Sequence, residues 1–397
     1  MATKTDLTCP MQTLDFVSLA WVIPVLLCRA SYDFGKRFFK SHPMGLLHWR
    51  QKLATSFLYA TRVTLNQRMK YAANTRKTTG EQVSEYCVAR GIAHDKVVVS
   101  MPTSSSFPPP NLHLVSCPDA VADGPTVLFV HGGGYLYPMV GECHIPLALH
   151  MGRSSKAKQV AYLEYTLTSS LQYPGQLAQI AQAVAQLLKQ GVRSSDLIIA
   201  GDSAGGHLVA GLLAHMQQPC PLVEPIDLKG QQIRAVVLLS PWVDMTLTDT
   251  YGAANEAYDV LSQGQLRDCG RLLGTTSRPG SLWLEPLRAK EGKAVLLQAL
   301  AGAGDGAQPI AGKVLITAGE REVLFESCVD FAEGFTGART VVMDAKGRRT
   351  IRDVVEEEAC VFAIGPGEVH VQSGIDVATG YDEGATMVAL SAFLEAL

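Results

Sequence analysis

A serine framed by glycines, GDSAG at residues 201–205, stands between a short apolar run, LIIA (197–200), and an apolar helical pattern, HLVAGLL (207–213). A serine hydroxyl is a weak nucleophile until it is turned out of regular structure and paired with a base, and a sharp strand-to-helix turn achieves the first. Ser203 is the candidate nucleophile. Gly201 and Gly205 fit a turn at which strand and helix almost touch, and the serine is expected at positive φ. The Ala204 amide, at the positive end of the following helix, would face a developing oxyanion. Such a pattern is common by chance, so its partners decide.

Upstream, His131-Gly132-Gly133-Gly134 follows the apolar run VLFV (127–130). Successive glycines let backbone amides turn toward a substrate, which makes Gly133 and Gly134 the candidate oxyanion donors beside Ala204. His131 precedes the loop and is expected to brace it by hydrogen bonds. For the base, chain order in elbow-bearing folds places acid and then histidine after the serine. His207 and His215 fall on the helix leaving the elbow and cannot easily turn back. His370, in the small-residue loop IGPGEVHVQSG, is the remaining candidate. The acid should follow a strand between them, and AGEREVLFES after KVLIT (313–317) offers Glu320, Glu322 and Glu326, of which Glu322 fits best.

The elements that must position these groups are also visible. Short strands are expected at Lys96–Val99 and Leu112–Ser116, followed by continuous apolar runs at 127–130, 160–163, 197–200, 233–239 and 313–317. Unbroken apolar strands are buried on both faces, as in a parallel sheet. Residues 176–190 repeat apolar positions at helical spacing, one face of a helix packing on that sheet. The alternation predicts a helix-flanked, mostly parallel α/β sheet. The charged stretch 345–358, AKGRRTIRDVVEEE, is read as a solvated insertion.

The chain has 397 residues, 47% hydrophobic and 18% charged, with a net charge of −3, enough apolar material for a sizeable core and no general attraction to nucleic acid. Nine scattered cysteines without a C-x-x-C pair suggest reduced thiols rather than zinc or a redox site. No metal motif and no phosphate loop is present, so no cofactor is expected.

The amino-terminal quarter differs from the rest. Residues 16–28, FVSLAWVIPVLLC, are apolar but interrupted by Pro24. They are too short for the ~20 residues a bilayer-spanning helix needs. From Arg29 to Lys77 there are eleven Lys or Arg against one acid, Asp33, interleaved with aromatics. This reads as basic amphipathic helices suited to peripheral membrane contact through residues 16–77.

Five motifs in order, HGGGY (131–135), EYTLTSSLQYP (164–174), GDSAGG (201–206), SPWVD (240–244) and GEREVL (319–324), resemble the hormone-sensitive-lipase-like, fold-3 α/β-hydrolases, and YTLT is most similar to their fungal steryl acetyl hydrolase-like branch. The resemblance covers about residues 100–397. It implies an α/β-hydrolase fold with a helical cap built partly from the amino-terminal region, and it maps the triad to Ser203, Glu322 and His370. Two features depart from the pattern: Leu136-Tyr137-Pro138 follows the glycines, and Val371 follows the histidine. The organisation expected is an amino-terminal basic and apolar segment, 1–95, and a catalytic domain, 96–397, with a cap insertion at about 245–300. The activity implied is a serine esterase removing a short, acetyl-like acyl group from a small lipophilic ester of a bulky or secondary-metabolite alcohol. The alternatives are lactone opening or cyclisation in a fungal pathway, an inactive ligand-binding receptor-like protein, and a membrane-tethered scaffold. The expected location is intracellular, cytoplasmic or on the endoplasmic reticulum membrane.

Overall fold

The computed structural model describes residues 8–39, 41–245, 252–275, 281–301 and 308–397. Among the described residues four helices lead: α1 (Thr13–Lys36), α2 (Trp49–Thr64), α3 (Gln67–Asn74) and α4 (Thr79–Arg90). Strands β1 (His94–Val98), β2 (Asn111–Ser116) and β3 (Thr126–Val130) follow, then α5 (Gly141–Ser154), β4 (Gln159–Glu164), α6 (Gly175–Lys189), β5 (Leu197–Asp202), α7 (Ala204–Gln217) and β6 (Ile233–Leu239). The remainder is α8 (Gln263–Leu273), α9 (Gly292–Ala301), β7 (Ala311–Gly319), α10 (Phe325–Val329), β8 (Arg339–Val342), α11 (Gly347–Glu357), β9 (Cys360–Gly365), α12 (Gln372–Ala378) and α13 (Ala385–Glu395).

The nine strands form one sheet in the order β1-β2-β4-β3-β5-β6-β7-β9-β8. Only β1–β2 and β2–β4 pair antiparallel; every other pair is parallel. All residues of β3 and β5 are buried, which is why their sequences are continuously apolar instead of alternating. Helices sandwich the sheet and leave an apolar core on each face. The helix-flanked, mostly parallel sheet expected from the strand runs is what the chain adopts, in keeping with the α/β-hydrolase fold that the resemblance implies.

Three expectations need correction. Residues 345–358 are not a solvated excursion: α11 is the crossover between parallel β8 and β9, and it buries Gly347, Ile351 and Val355 on one face. Its charges crowd the opposite face, so the segment reads as wholly polar unless its three-and-four spacing is followed. The apolar amino-terminal segment does not end at residue 28 or break at Pro24. A capping box between Gln12 and Asp15 opens α1, and the Asp33 carboxylate accepts from Arg37 Nε at 2.6 Å at its end, giving a helix of 24 residues. That is long and apolar enough to cross a membrane. Finally, the insertion expected at about 245–300 divides. Residues 255–273 lie beside the site, whereas α9 packs on α7 and β7 in the layer flanking the sheet; residues 246–251 and 276–280 lie outside the described residues, as does Lys40.

Candidate active site

Ser203 sits between the end of β5 and the start of α7 with φ 51° and ψ −118°, the strained conformation anticipated for an elbow serine. The strain is held from several sides. Ser203 N–H donates to Leu239 of β6 at 2.9 Å, and its carbonyl accepts from Trp242 and His207 amides, each at 3.0 Å. Strand and helix approach so closely that a Cβ on Gly201 would lie 2.6 Å from the Gly205 carbonyl carbon. One on Gly205 would lie 2.6 Å from the carbonyl carbon of Val130. Only glycine fits either place.

The oxyanion loop leaves β3 beside the elbow. Gly133 and Gly134 adopt φ 100° and 62°, which turns successive amides to one side. Among the described residues the amides of Gly133, Gly134 and Ala204 donate to no protein acceptor. Ala204 is the first residue of α7, where amides have no partner within the helix. His131 braces this loop as expected: its Nδ1 donates to the Gly132 carbonyl at 2.7 Å and its Nε2 faces the Thr79 hydroxyl at 3.2 Å. Burial, then the charge of His144, pushes His131 down to about 4, so the ring stays neutral. His207 is likewise held near 4 by burial, donating to Leu284 O at 2.7 Å and accepting from Tyr135 OH at 2.6 Å. Neither histidine is free to serve the serine.

His370 lies in the loop between β9 and α12, and Glu322 in the loop after β7. His370 Nδ1 faces Glu322 Oε2 at 3.4 Å, and each of these buried atoms has no hydrogen-bonding partner among the described residues. Two unsatisfied polar atoms facing one another leave the carboxylate to hold Nδ1–H, and Nε2 is then the acceptor nitrogen. Burial opposes the imidazolium, but the Glu322 contact and charge, with Asp259 and Asp202 beyond, outweigh it and raise the His370 pKa. Ser203, His370, Gly133 and Gly134 all line one cavity of about 330 Å³, with Tyr137 and Leu266 among its apolar walls. Sequence-predicted Ser203, Glu322, His370, Gly133, Gly134 and Ala204 are therefore brought together; Glu320 and Glu326 are not in the contact.

Several residues at the site have no role assigned from the sequence, although Ser240 and Asp202 lie within the quoted motifs. Asp259 is fully buried, and its carboxylate accepts from three backbone amides: His370 at 3.1 Å, Val323 at 2.7 Å and Val260 at 2.7 Å. It thereby joins the acid loop and the histidine loop. Burial pushes it up to about 6 against the pull of His370. Asn255 adds two bonds to the carbonyls of Glu320 and Glu322. Ser240, at φ 45°, accepts from Val371 N–H at 3.1 Å, so the SPWVD motif secures the elbow through Trp242 and the histidine loop through Ser240. Asp202 accepts from Gly132 N–H at 3.0 Å and from His144 Nε2 at 3.2 Å. Burial alone would raise it; His144, His131 and the Gly132 amide bring it down.

Residues 127–346 match a family model described as the alpha/beta hydrolase fold. Among curated proteins, an esterase of Acinetobacter venetianus is 29% identical over 164 residues, 41% of this chain and 50% of that protein. An acetyl-hydrolase of Streptomyces hygroscopicus is 30% identical over 140 residues, 35% of this chain and 43% of that protein. The chain thus spans half or less of the length of these relatives. Among solved structures, an esterase from the bacterial hormone-sensitive lipase family superposes with a TM-score of 0.59 at 20% identity, covering 88% of this chain and 98% of that one. Carboxyl esterase 2 of the mycorrhizal fungus Tuber melanosporum gives 0.55 at 21% identity, covering 77% and 87%.

Proposed function

The chain belongs to the alpha/beta hydrolase fold family, and on that premise we propose that it is a serine carboxylic-ester hydrolase working through Ser203, His370 and Glu322. The observation that carries this reading is a strained serine and a histidine lining one cavity, with a buried glutamate facing the histidine from a third loop. His370 Nε2 takes the Ser203 proton as Oγ attacks the acyl carbon, and the imidazolium formed is held by Glu322. The tetrahedral oxyanion is stabilised by the amides of Gly133, Gly134 and Ala204. His370 then protonates the departing alcohol, and water, deprotonated by the same ring, releases the acid.

A short, acetyl-like acyl group on a lipophilic alcohol is the favoured substrate. The acetyl-hydrolase among its relatives and the apolar cavity walls support this. Residues 1–95 act as a cap and membrane contact and 96–397 as the catalytic part. Support for the membrane comes from α1, whose apolar window has mean hydropathy 1.6 and is only 11% buried. It continues into exposed Phe38, Phe39, Leu46 and Trp49. Arg37 is withdrawn from the cationic face, being buried against Asp33 and Thr55. Nine free cysteines favour a reducing, intracellular setting, the cytoplasm or the cytoplasmic side of the endoplasmic reticulum membrane.

Hydrolysis of p-nitrophenyl acetate by wild type and by S203A tests the activity. Wild-type turnover that falls at least ~10⁴-fold in the variant is expected. Equal rates in the two purified proteins would defeat the reading.

A further inference from the structure

The cavity at Ser203 carries charge that ester cleavage does not use. Arg62 of α2 and Lys70 of α3 both line it. The Arg62 side chain is 10% exposed. Its terminal nitrogens reach Glu256, through the carboxylate at 3.4 Å and the main-chain carbonyl at 2.7 Å, and it stacks over Tyr59. Its Nε is buried without a hydrogen-bonding partner among the described residues. Lys70, half-buried on the next helix, forms no ion pair with any described carboxylate. Burial and then the Arg62 charge lower its pKa, and no acid counters them.

Arg62 is paired with the partly exposed Glu256, whereas Lys70 meets no carboxylate among the described residues, so the two cations facing the cavity leave one positive charge without a partner. Withdrawing such groups from water is costly unless an anion meets them. The rest of the wall includes Leu58, Tyr137, Val260, Leu261 and Leu266, which suits an apolar body. A neutral ester would satisfy those walls and leave Lys70 unmet. An ester with one carboxylate meets both requirements.

We propose that Arg62 and Lys70 form an anion-binding subsite in the Ser203 cavity, and that the substrate is an apolar ester bearing a carboxylate on its alcohol or acyl part. This rests on the ester-hydrolase reading. The subsite selects among esters and takes no part in the bond-breaking step.

The test compares pairs matched except for charge: 4-acetoxybenzoate with its methyl ester, and mono-4-nitrophenyl glutarate with 4-nitrophenyl pentanoate, each normalised to its uncatalysed rate. In wild type the anionic member has the higher kcat/KM in at least one pair. In K70M that ratio falls roughly 10-fold or more, the worth of one hydrogen bond to a charged group. In K70E it falls below one, and K189M, on the distant and exposed end of α6, leaves it in place. The wild-type ratio also declines as salt is raised, since the site is partly open to solvent; this arm needs no variant. A wild-type ratio at or below one in both pairs, a ratio unmoved in K70M, or one insensitive to salt overturns the proposal. So does K70M losing affinity for phosphatidylserine vesicles with its ratio intact, which would assign the cations to lipid headgroups. Turnover of the neutral esters by wild type and not by S203A reports separately on the ester-hydrolase reading.

Discussion

Replacing Asp259 by Asn changes one atom at a buried junction between the two loops that carry His370 and Glu322. The carboxylate has one oxygen accepting from His370 and Val260 amides and the other from Val323. The amide keeps one oxygen, and its NH2 must then point at a backbone N–H. At least one buried donor loses its acceptor, a cost of about 1–3 kcal/mol. Whichever side is lost, the His370–Glu322 contact, already 3.4 Å long, is no longer fixed from both loops. Misplacement of a catalytic group by ~1 Å costs up to about 10²-fold in rate, so kcat should fall within that range while KM for a short ester changes far less. The variant also removes a negative group that helps raise the His370 pKa. The base must be neutral to act, so activity is lost as pH falls through that raised value, and the acid limb of the kcat/KM profile should move to lower pH in D259N. N255A, which cuts loop ties without removing charge, should leave the limb where it is. A D259N limb that stays in place or moves upward would refute the reasoning, as would an unchanged kcat.

Gly205→Ala should lower the melting temperature and abolish turnover, because its Cβ meets the Val130 carbonyl carbon at 2.6 Å and overpacking of this kind costs about 1–3 kcal/mol; wild-type-like melting would count against the elbow geometry. Melting should also depend on pH through Asp376, which burial and neighbouring Glu368 push up to about 8. The folded state holds that proton more tightly than the unfolded chain, so stability is full below the ordinary carboxyl range and declines as pH rises toward 8. Glu164, held near 2 by His113, Gly80 and Asn111 against its burial, acts oppositely and loses stability as pH falls below its ordinary range. A maximum at weakly acidic pH is therefore expected, with the alkaline decline flattened in D376N. Trp21→Ser with Phe39→Ser should weaken sedimentation with phospholipid vesicles, and unchanged sedimentation would remove α1 from the membrane contact.

The sheet was legible because β3, β5 and β6 are buried on both faces and so carry no polar alternation. The contact of His370 with Glu322 and the shared cavity of Ser203 and His370 were within reach of the sequence because chain order leaves one histidine and three acids as partners for an elbow serine. What stayed hidden depends on contacts between distant segments. Asp259 acts on backbone amides 64 and 111 residues away, and backbone amides have no letter in a sequence. The crossover helix α11 is masked by charge on its outer face, since three buried residues suffice to seat it. The reach of α1 depends on the Asp15 cap and the Asp33–Arg37 pair, which continue the helix well past the apolar run.

The most direct test of the account is labelling with a fluorophosphonate probe followed by mapping of the adduct by mass spectrometry. An activated serine should carry the adduct at Ser203, with none in S203A and slow labelling in H370A. Absence of labelling in the folded wild-type protein, or an adduct that persists in S203A, would contradict the assignment of Ser203 as the nucleophile.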